Sequence, residues 1–481
     1  MKKKMSILLL FLQLFIYSGI ISQADSIELI HHAGLDTFDI GKYVLPDVKY
    51  GITNLQFNVN SNNLPENHLD YKNNFKYIFS SGITINNFIY KSNPHLILTG
   101  SDYITLGGEF KNFKKTIYPE FSTKKIKTGY GAINLSSVRD YKFYKKKKFF
   151  LEQDIYFKAN MYTDFMKTNT DTDDPENNKW LDLSLSPAFL IGKGRIEDVS
   201  DAWHTIRILK EFSRINVLEK NPTHEDIVEI AKTLSRTRYN RIFDSRIKIK
   251  ERIKAIDKKI KERKLARNRD VDYFTSLYDM FLYGIYFKRY SGSYFSGGIR
   301  PLISYNKSVG TQDISSFSYG AGLLLKYEYR KPLNQFWQFD FFAGISSFYQ
   351  KFYNNYEGNK NRSSIIITSP EINASIAYYP SSRSRFKSSL NLSYYNIAWL
   401  NKDENTVSNN NFLVAFLNSF SYYVSPRARI DFNFDIYYNT YNSISGYSPY
   451  DFNDNFGNYR FLSLKKGFNY MTSIKFNYYL H

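Results

Sequence analysis

The sequence predicts a mostly β protein, an antiparallel transmembrane β-barrel of about 14 strands (range 12–16), interrupted by an inserted α-helical domain. Three observations predict it. The chain of 481 residues is polar on average, with a mean hydropathy of -0.44, yet carries 42 Tyr and 40 Phe. A barrel wall produces this combination, because alternate residues of each strand meet lipid and water. The second half of the chain shows that alternation repeatedly. Between them lies a stretch whose apolar period changes from 2 to 3.6.

The N-terminus reads as an export signal. Lys2, Lys3 and Lys4 precede an apolar run from Met5 to Ile21, and Ser22-Gln23-Ala24 offers small residues for cleavage. Residues 1–24 are therefore expected to be removed, and 25–46 to form an N-terminal periplasmic segment. The absence of Cys removes thiolate catalysis, Cys-based zinc sites and disulfide frameworks.

Residues 47–191 are expected to supply barrel strands 1–6. Tyr77–Ile89, Phe149–Met161 and Leu181–Ile191 alternate well, whereas 47–59, 95–110 and 126–138 are weaker. Residues 292–481 supply strands 7–14. In 317–329, Phe317, Tyr319, Ala321, Leu323, Leu325, Tyr327 and Tyr329 share one face, opposite Ser318, Gly320, Gly322, Leu324, Lys326 and Glu328, a largely wet face. Connections in this half alternate short (330–334, 380–383, 425–427) and long (306–314, 350–363, 400–410, 442–466). Outer-membrane barrels place short turns in the periplasm and long loops outside. The last strand ends on the short-turn side, and counting back eight strands puts the chain before Ser293 there too. The acidic run Asp171–Glu176 lacks the Gly and distal Glu of a calcium loop and reads as a solvated turn.

Residues 192–291 are expected to form a helical periplasmic insert. Val199, Ala202, Trp203, Ile206, Leu209 and Phe212 make one helical stripe, and Ile227, Ile230, Ala231 and Leu234 a second, after an N-cap at Thr223. Ile249, Ile253, Ile256 and Ile260 make a third. Val271, Phe274, Leu277, Tyr278, Phe281 and Ile285 make a fourth. The third helix is strongly basic. Arg246, Lys250, Lys254, Lys258 and Lys261 form its candidate partner-binding face, suited to an acidic periplasmic protein or an anionic glycan. Nucleic acid is not an expected partner in that compartment.

The insert and its flanks carry Gly192-Lys-Gly-Arg-Ile-Glu-Asp-Val-Ser-Asp-Ala-Trp203, Phe243-Asp-Ser-Arg246 and Asp272-Tyr-Phe-Thr-Ser-Leu-Tyr-Asp-Met280. This pattern resembles uncharacterised outer-membrane β-barrel proteins of the Bacteroidetes that bear a helical periplasmic insert. The barrel resembles them by type only, and the C-terminal Tyr478-Tyr479-Leu480-His481 departs from the aromatic ending common in such proteins. The resemblance implies a Gram-negative outer-membrane location and brings no activity and no site residues with it.

If the apolar set meets lipid, the opposite set lines a lumen: Glu152, Asp154, Lys158, Asp182, Arg300, Lys326, Glu328, Asp340, Glu371, Lys387, Arg429, Asp431, Asp435 and Lys475. Acids outnumber bases there, so the overall charge of +20 does not predict anion selectivity. Catalytic motifs, metal-ligand spacings and phosphate loops are absent, so no enzyme, cofactor or metal is expected. The expected function is a porin-like channel or transport component whose basic helices dock a partner or gate the pore. The alternative is a structural anchor with a closed lumen, and the third reading is a barrel hydrolase.

Overall fold

The computed structural model describes residues 33–478, except 67–73, 118–121, 146–148, 169–175, 239–244, 284–286, 311–312, 357, 401–407, 426–427 and 441–466. The expected signal segment, His31, His32, His68 and His481, and acidic residues 171–175 lie outside the described residues.

Alternation turns directly into strands. The described residues form fourteen: β1 (Val48–Glu66), β2 (Asn74–Asn93), β3 (Leu96–Ile117), β4 (Ser122–Lys145), β5 (Phe149–Thr168), β6 (Glu176–Asp198), β7 (Tyr290–Val309), β8 (Ile314–Pro332), β9 (Trp337–Tyr356), β10 (Asn359–Tyr378), β11 (Ser384–Trp399), β12 (Ser408–Ser425), β13 (Ala428–Asn439) and β14 (Gly467–Tyr478). They pair antiparallel in sequence order as one meander. Most strands outrun the alternating stretch that predicts them. β4 has 24 residues and extends beyond 126–138 at both ends. The segment 350–363, expected as a long loop, is instead the end of β9 and the start of β10, with Tyr356 paired to Asn359. Gly358, at φ +88, makes this tight reversal. A strand wet on both faces has no apolar period, so sequence pattern cannot mark its ends.

The sheet curls with its polar face inward. Lys326 of β8 reaches Glu152 of β5 at 2.5 Å, although β6 and β7 lie between them. Three strand spacings in a flat sheet would be roughly 14 Å. The apolar face is outward: Ile191 is 72 % exposed and Leu323 65 %, while inward Ser296 and Gln338 are buried. Among the described residues no ladder joins β1 to β14, so the meander is a barrel-like curl without a hydrogen-bonded seam.

The chain between β6 and β7 forms α1 (Ser200–Arg214), α2 (His224–Arg238), α3 (Ser245–Glu262) and α4 (Val271–Tyr283). None is long and apolar enough to cross a membrane, which bears only on helices. The α1 stripe from Val199 to Phe212 and the α2 stripe from Ile227 to Leu234 are buried as the period predicts. Thr223 and Asp226 bond reciprocally at the start of α2, a capping box with Asp as its acid. In α3, Ile256 and Ile260 are buried. In α4 the expected stripe is rotated: Tyr273 and Leu277 are buried, whereas Val271 is 78 % exposed and Phe274 and Tyr278 are also exposed. The Tyr273 ring goes inward because it stacks on Phe212 at 4.8 Å while its hydroxyl donates to Asp257 at 3.0 Å. The side chain of Phe281 and residue Ile285 lie outside the description.

These helices share one core with the N-terminal stretch and the sheet. Leu35, Ile40, Tyr43 and Leu45 pack into it from one side, and Ala377, Tyr379 and Tyr423 from the strand ends. The helices thus sit at the short-turn end. Phe287 packs on Tyr423 of β12, and its neighbour Lys288 donates to Tyr50 of β1. Both flanks of the meander therefore bend round to the same two adjacent residues. Gly194 and Gly292, where β6 and β7 meet the helices, have φ of +114 and +121, and a Cβ at either would lie 2.1 Å from a carbonyl oxygen of the opposite strand. Only glycine fits both conditions.

Candidate functional site: the concave face and its helical floor

Strand parity places the candidate lumen residues, and the structure gathers four of them. Glu152 and Asp154 of β5 meet Lys326 of β8, and Arg300 of β7 lies 3.4 Å from Asp154. Two residues outside the expected set complete the group. Lys142 of β4 lies 3.4 Å from Glu152 and 2.7 Å from Asp140. The register puts Asp140 directly opposite Asp154, a repulsive pair that the flanking cations offset. Three carboxylates face three cations, so the network is neutral. Lys142 and Lys326 also lie over the ring of Tyr294, at 5.0 and 6.0 Å.

Asp140, Glu152 and Asp154 bring carboxylate oxygens within 4.8 Å of one another, a spacing that could hold a metal ion. The donor set does not fit one. Two ammonium groups already lie on these oxygens, and a divalent cation would have to face both. What the arrangement does is tie β4, β5, β7 and β8 together across the concave side.

The other candidate residues stay outside this network. Glu328 pairs with Arg330, and Arg429 with Asp431 at 2.8 Å, each within its own strand. Asp340 accepts from Gln338 at 2.8 Å, Glu371 from Asn391 at 3.3 Å, Asp182 from Asn160 at 3.1 Å and Asp435 from Tyr437 at 3.3 Å. Lys158 and Lys387 are half-buried, and Lys475 is exposed on β14, the last strand of the meander. Asp140 and Lys142 escape the sequence reading because they follow the end of the expected strand. The alternation Asp140-Tyr141-Lys142-Phe143 could have shown them. Arg330 escapes because it falls in an expected turn.

The floor of the curl is anchored by residues with no motif. Arg289 is fully buried and donates to the carbonyls of Asn334, Gln335 and Trp337 in the β8–β9 turn, at 2.5 to 2.7 Å. Trp203 donates to the Gln335 carbonyl at 2.7 Å, and Arg207 to that of Tyr379 at 2.6 Å. The Arg207 and Arg289 guanidinium groups lie 4.6 and 5.6 Å from the Trp203 ring. Burial, and then repulsion by Arg289, lowers Arg207 to about 9; burial lowers Arg289 to about 10. Turn carbonyls, rather than carboxylates, thus hold these cations. Arg195 of β6 adds bonds to the carbonyls of Asn93 and Pro94 in the β2–β3 turn.

On α3, Lys250, Lys254, Lys258 and Lys261 are exposed, as the candidate partner face requires; the side chain of Arg246 is not among those described. Part of the helix's charge is neutralised locally. Lys254 pairs with Glu251 and Lys259 with Glu262, and Arg252 is buried against the Thr237 carbonyl. Of the histidines, His95 sits in the β2–β3 turn and His204 and His224 in the helices, so among the described residues none lies on the inner face of a strand.

No protein-family model matches the chain, and no curated protein matches it in sequence.

Proposed function

We propose that this chain is an outer-membrane β-barrel protein, a porin-like channel or transport component whose helical segment floors and gates the lumen from the periplasmic side. The observation that carries this reading is the outward apolar face. Ile299, Ile303, Leu323, Leu325 and Phe432 are all at least 40 % exposed on strands of 12 to 20 residues. A transmembrane strand needs ~9–11 residues, and water would oppose exposing so much apolar surface. The expected export signal and the absence of Cys agree with this location.

Reconstitution into planar bilayers tests it. The proposal expects conductance steps that become larger or more frequent when the floor is loosened. A second reading, a closed structural anchor, is favoured by the seal that Trp203, Arg207 and Arg289 make with the turns. Silence from the intact chain and from floor variants alike would select it. Neither reading involves catalysis or a cofactor.

Phe432→Arg should destabilise the protein by ~2–4 kcal/mol, because its outward side chain would carry a charge into the bilayer. Asn433→Arg, on the inner face beside Ser473, should cost much less. Folding titrations in lipid vesicles read the difference, and equal costs would contradict membrane burial of this face.

The partners in this reading are outer-membrane lipid and an acidic periplasmic protein or anionic glycan, with nucleic acid excluded. Charge reversal at Lys250, Lys258 and Lys261 together should abolish co-purification of the periplasmic partner. Unchanged recovery would remove α3 as the docking face.

A further inference from the structure

We infer that the concave face holds a binding site for a small multivalent oxyanion, between Arg385 and Lys387 of β11 and Arg330 of β8, directly above the helical floor. Two charged clusters on the same face contrast. Around Glu152 every cation has a carboxylate, and charge balances. Around Lys387 it does not.

The register fixes the second cluster. Arg330 of β8 lies opposite Asp340 of β9, and Lys387 lies opposite Ala377 of β10, which in turn faces Gln338 of β9. Arg385, Lys387 and Ser389 alternate along β11 and so share its inner face. Arg385 reaches down to the floor, its guanidinium 5.3 Å from the centre of the Phe287 ring. Lys387 lies within electrostatic range of Asp340, Arg385 and Arg330.

Two carboxylates serve this group. Glu328 is committed to Arg330, and Asp340 takes its hydrogen bond from Gln338. Among the described residues Arg385 and Lys387 have no ion pair, and the Arg385 Nε is enclosed without an acceptor. Both side chains keep part of their surface accessible, as does Arg330 at 32 %. Buried Arg289 adds a further positive charge from below, within range of the same Asp340.

Cations held together at low dielectric repel one another unless an anion is shared among them. A guanidinium fork beside an ammonium suits oxyanions: the fork takes two oxygens in plane, and the ammonium supplies a point charge. The hydroxyls of Ser375 and Ser389, which face each other across β10 and β11, lie on the same surface and can donate. The site depends on the concave face alone, and not on conduction: a chain that binds the anion but passes no current would refute the channel and leave the site standing.

The test is calorimetric titration of the full chain in detergent with pyrophosphate at fixed ionic strength. Citrate in a parallel arm distinguishes phosphate from carboxylate ligands. Saturable binding of one pyrophosphate or citrate is expected, weakened by about tenfold or more in Arg385→Gln/Lys387→Gln. Lys360→Gln, at the exposed start of β10, should bind like the parent. Without ligand, the Arg385/Lys387 variant should melt at or above the parent temperature, since it loses repulsion rather than a partner. Should that double variant fail to assemble, Lys387→Gln alone must show the loss. No saturable binding by the parent, or undiminished binding by the variants, would overturn the site.

Discussion

Glu152→Gln is expected to destabilise the protein by ~3–5 kcal/mol, because it leaves half-buried Lys326 facing an uncharged amide and buried Lys142 with Asp140 alone. Glu152 is fully buried and lies within 3.4 Å of two ammonium groups, those of Lys142 and Lys326. The substitution keeps the shape and removes the charge, so the cost is electrostatic and not a cavity. Asp154, at 3.7 Å from Lys326, cannot replace it, since it already serves Arg300. A second substitution, Lys326→Met, should recover part of the loss by withdrawing one stranded cation. Unfolding curves for the parent, both single variants and the double variant measure that coupling. If Glu152→Gln melts like the parent, the network does not brace the wall.

Trp203→Ala is expected to cost ~3–5 kcal/mol and to free the helices from the short-turn end. The indole is 1 % exposed in the shared core, and its N–H holds the β8–β9 turn. Its removal leaves a cavity and also exposes Arg207 and Arg289, which lie over its ring. Loss should appear first as faster proteolysis of α1–α4, while the strands keep their heat-dependent gel migration. Joint loss of helices and strands at one temperature would instead mean that floor and wall fold as a unit, which their continuous core permits. Ordinary migration with intact helices would show that Trp203 does not anchor the floor.

How much of this could be read from the chain differs by element. The wall was legible wherever one face is apolar. Phe317 through Tyr329 alternates in sequence and in exposure alike, since a period of 2 is the direct trace of a half-buried strand. α1 was equally legible, from Val199 to Phe212. The orientation of α4 was not, because Tyr273 is buried by a hydrogen bond to Asp257, a partner on another helix that no periodicity encodes. The charged wall network was half legible. Glu152, Asp154, Arg300 and Lys326 follow from parity, but Asp140 and Lys142 lie past the apparent end of their strand. The floor anchors were illegible for a different reason. Arg289 and Arg195 bind carbonyl oxygens, and backbone acceptors have no sequence signature.

The long loops and the helical floor are expected on opposite sides of a membrane. In a chain without Cys, single cysteines report it directly. Asn409, near the long-loop start of β12, and Lys258, exposed on α3, are suitable positions. With an impermeant thiol reagent on intact cells, Asn409→Cys should label and Lys258→Cys should stay unlabelled until the outer membrane is breached. Labelling of Lys258→Cys on intact cells, with Asn409→Cys protected, would reverse the orientation, and equal labelling of both would contradict a membrane-spanning wall.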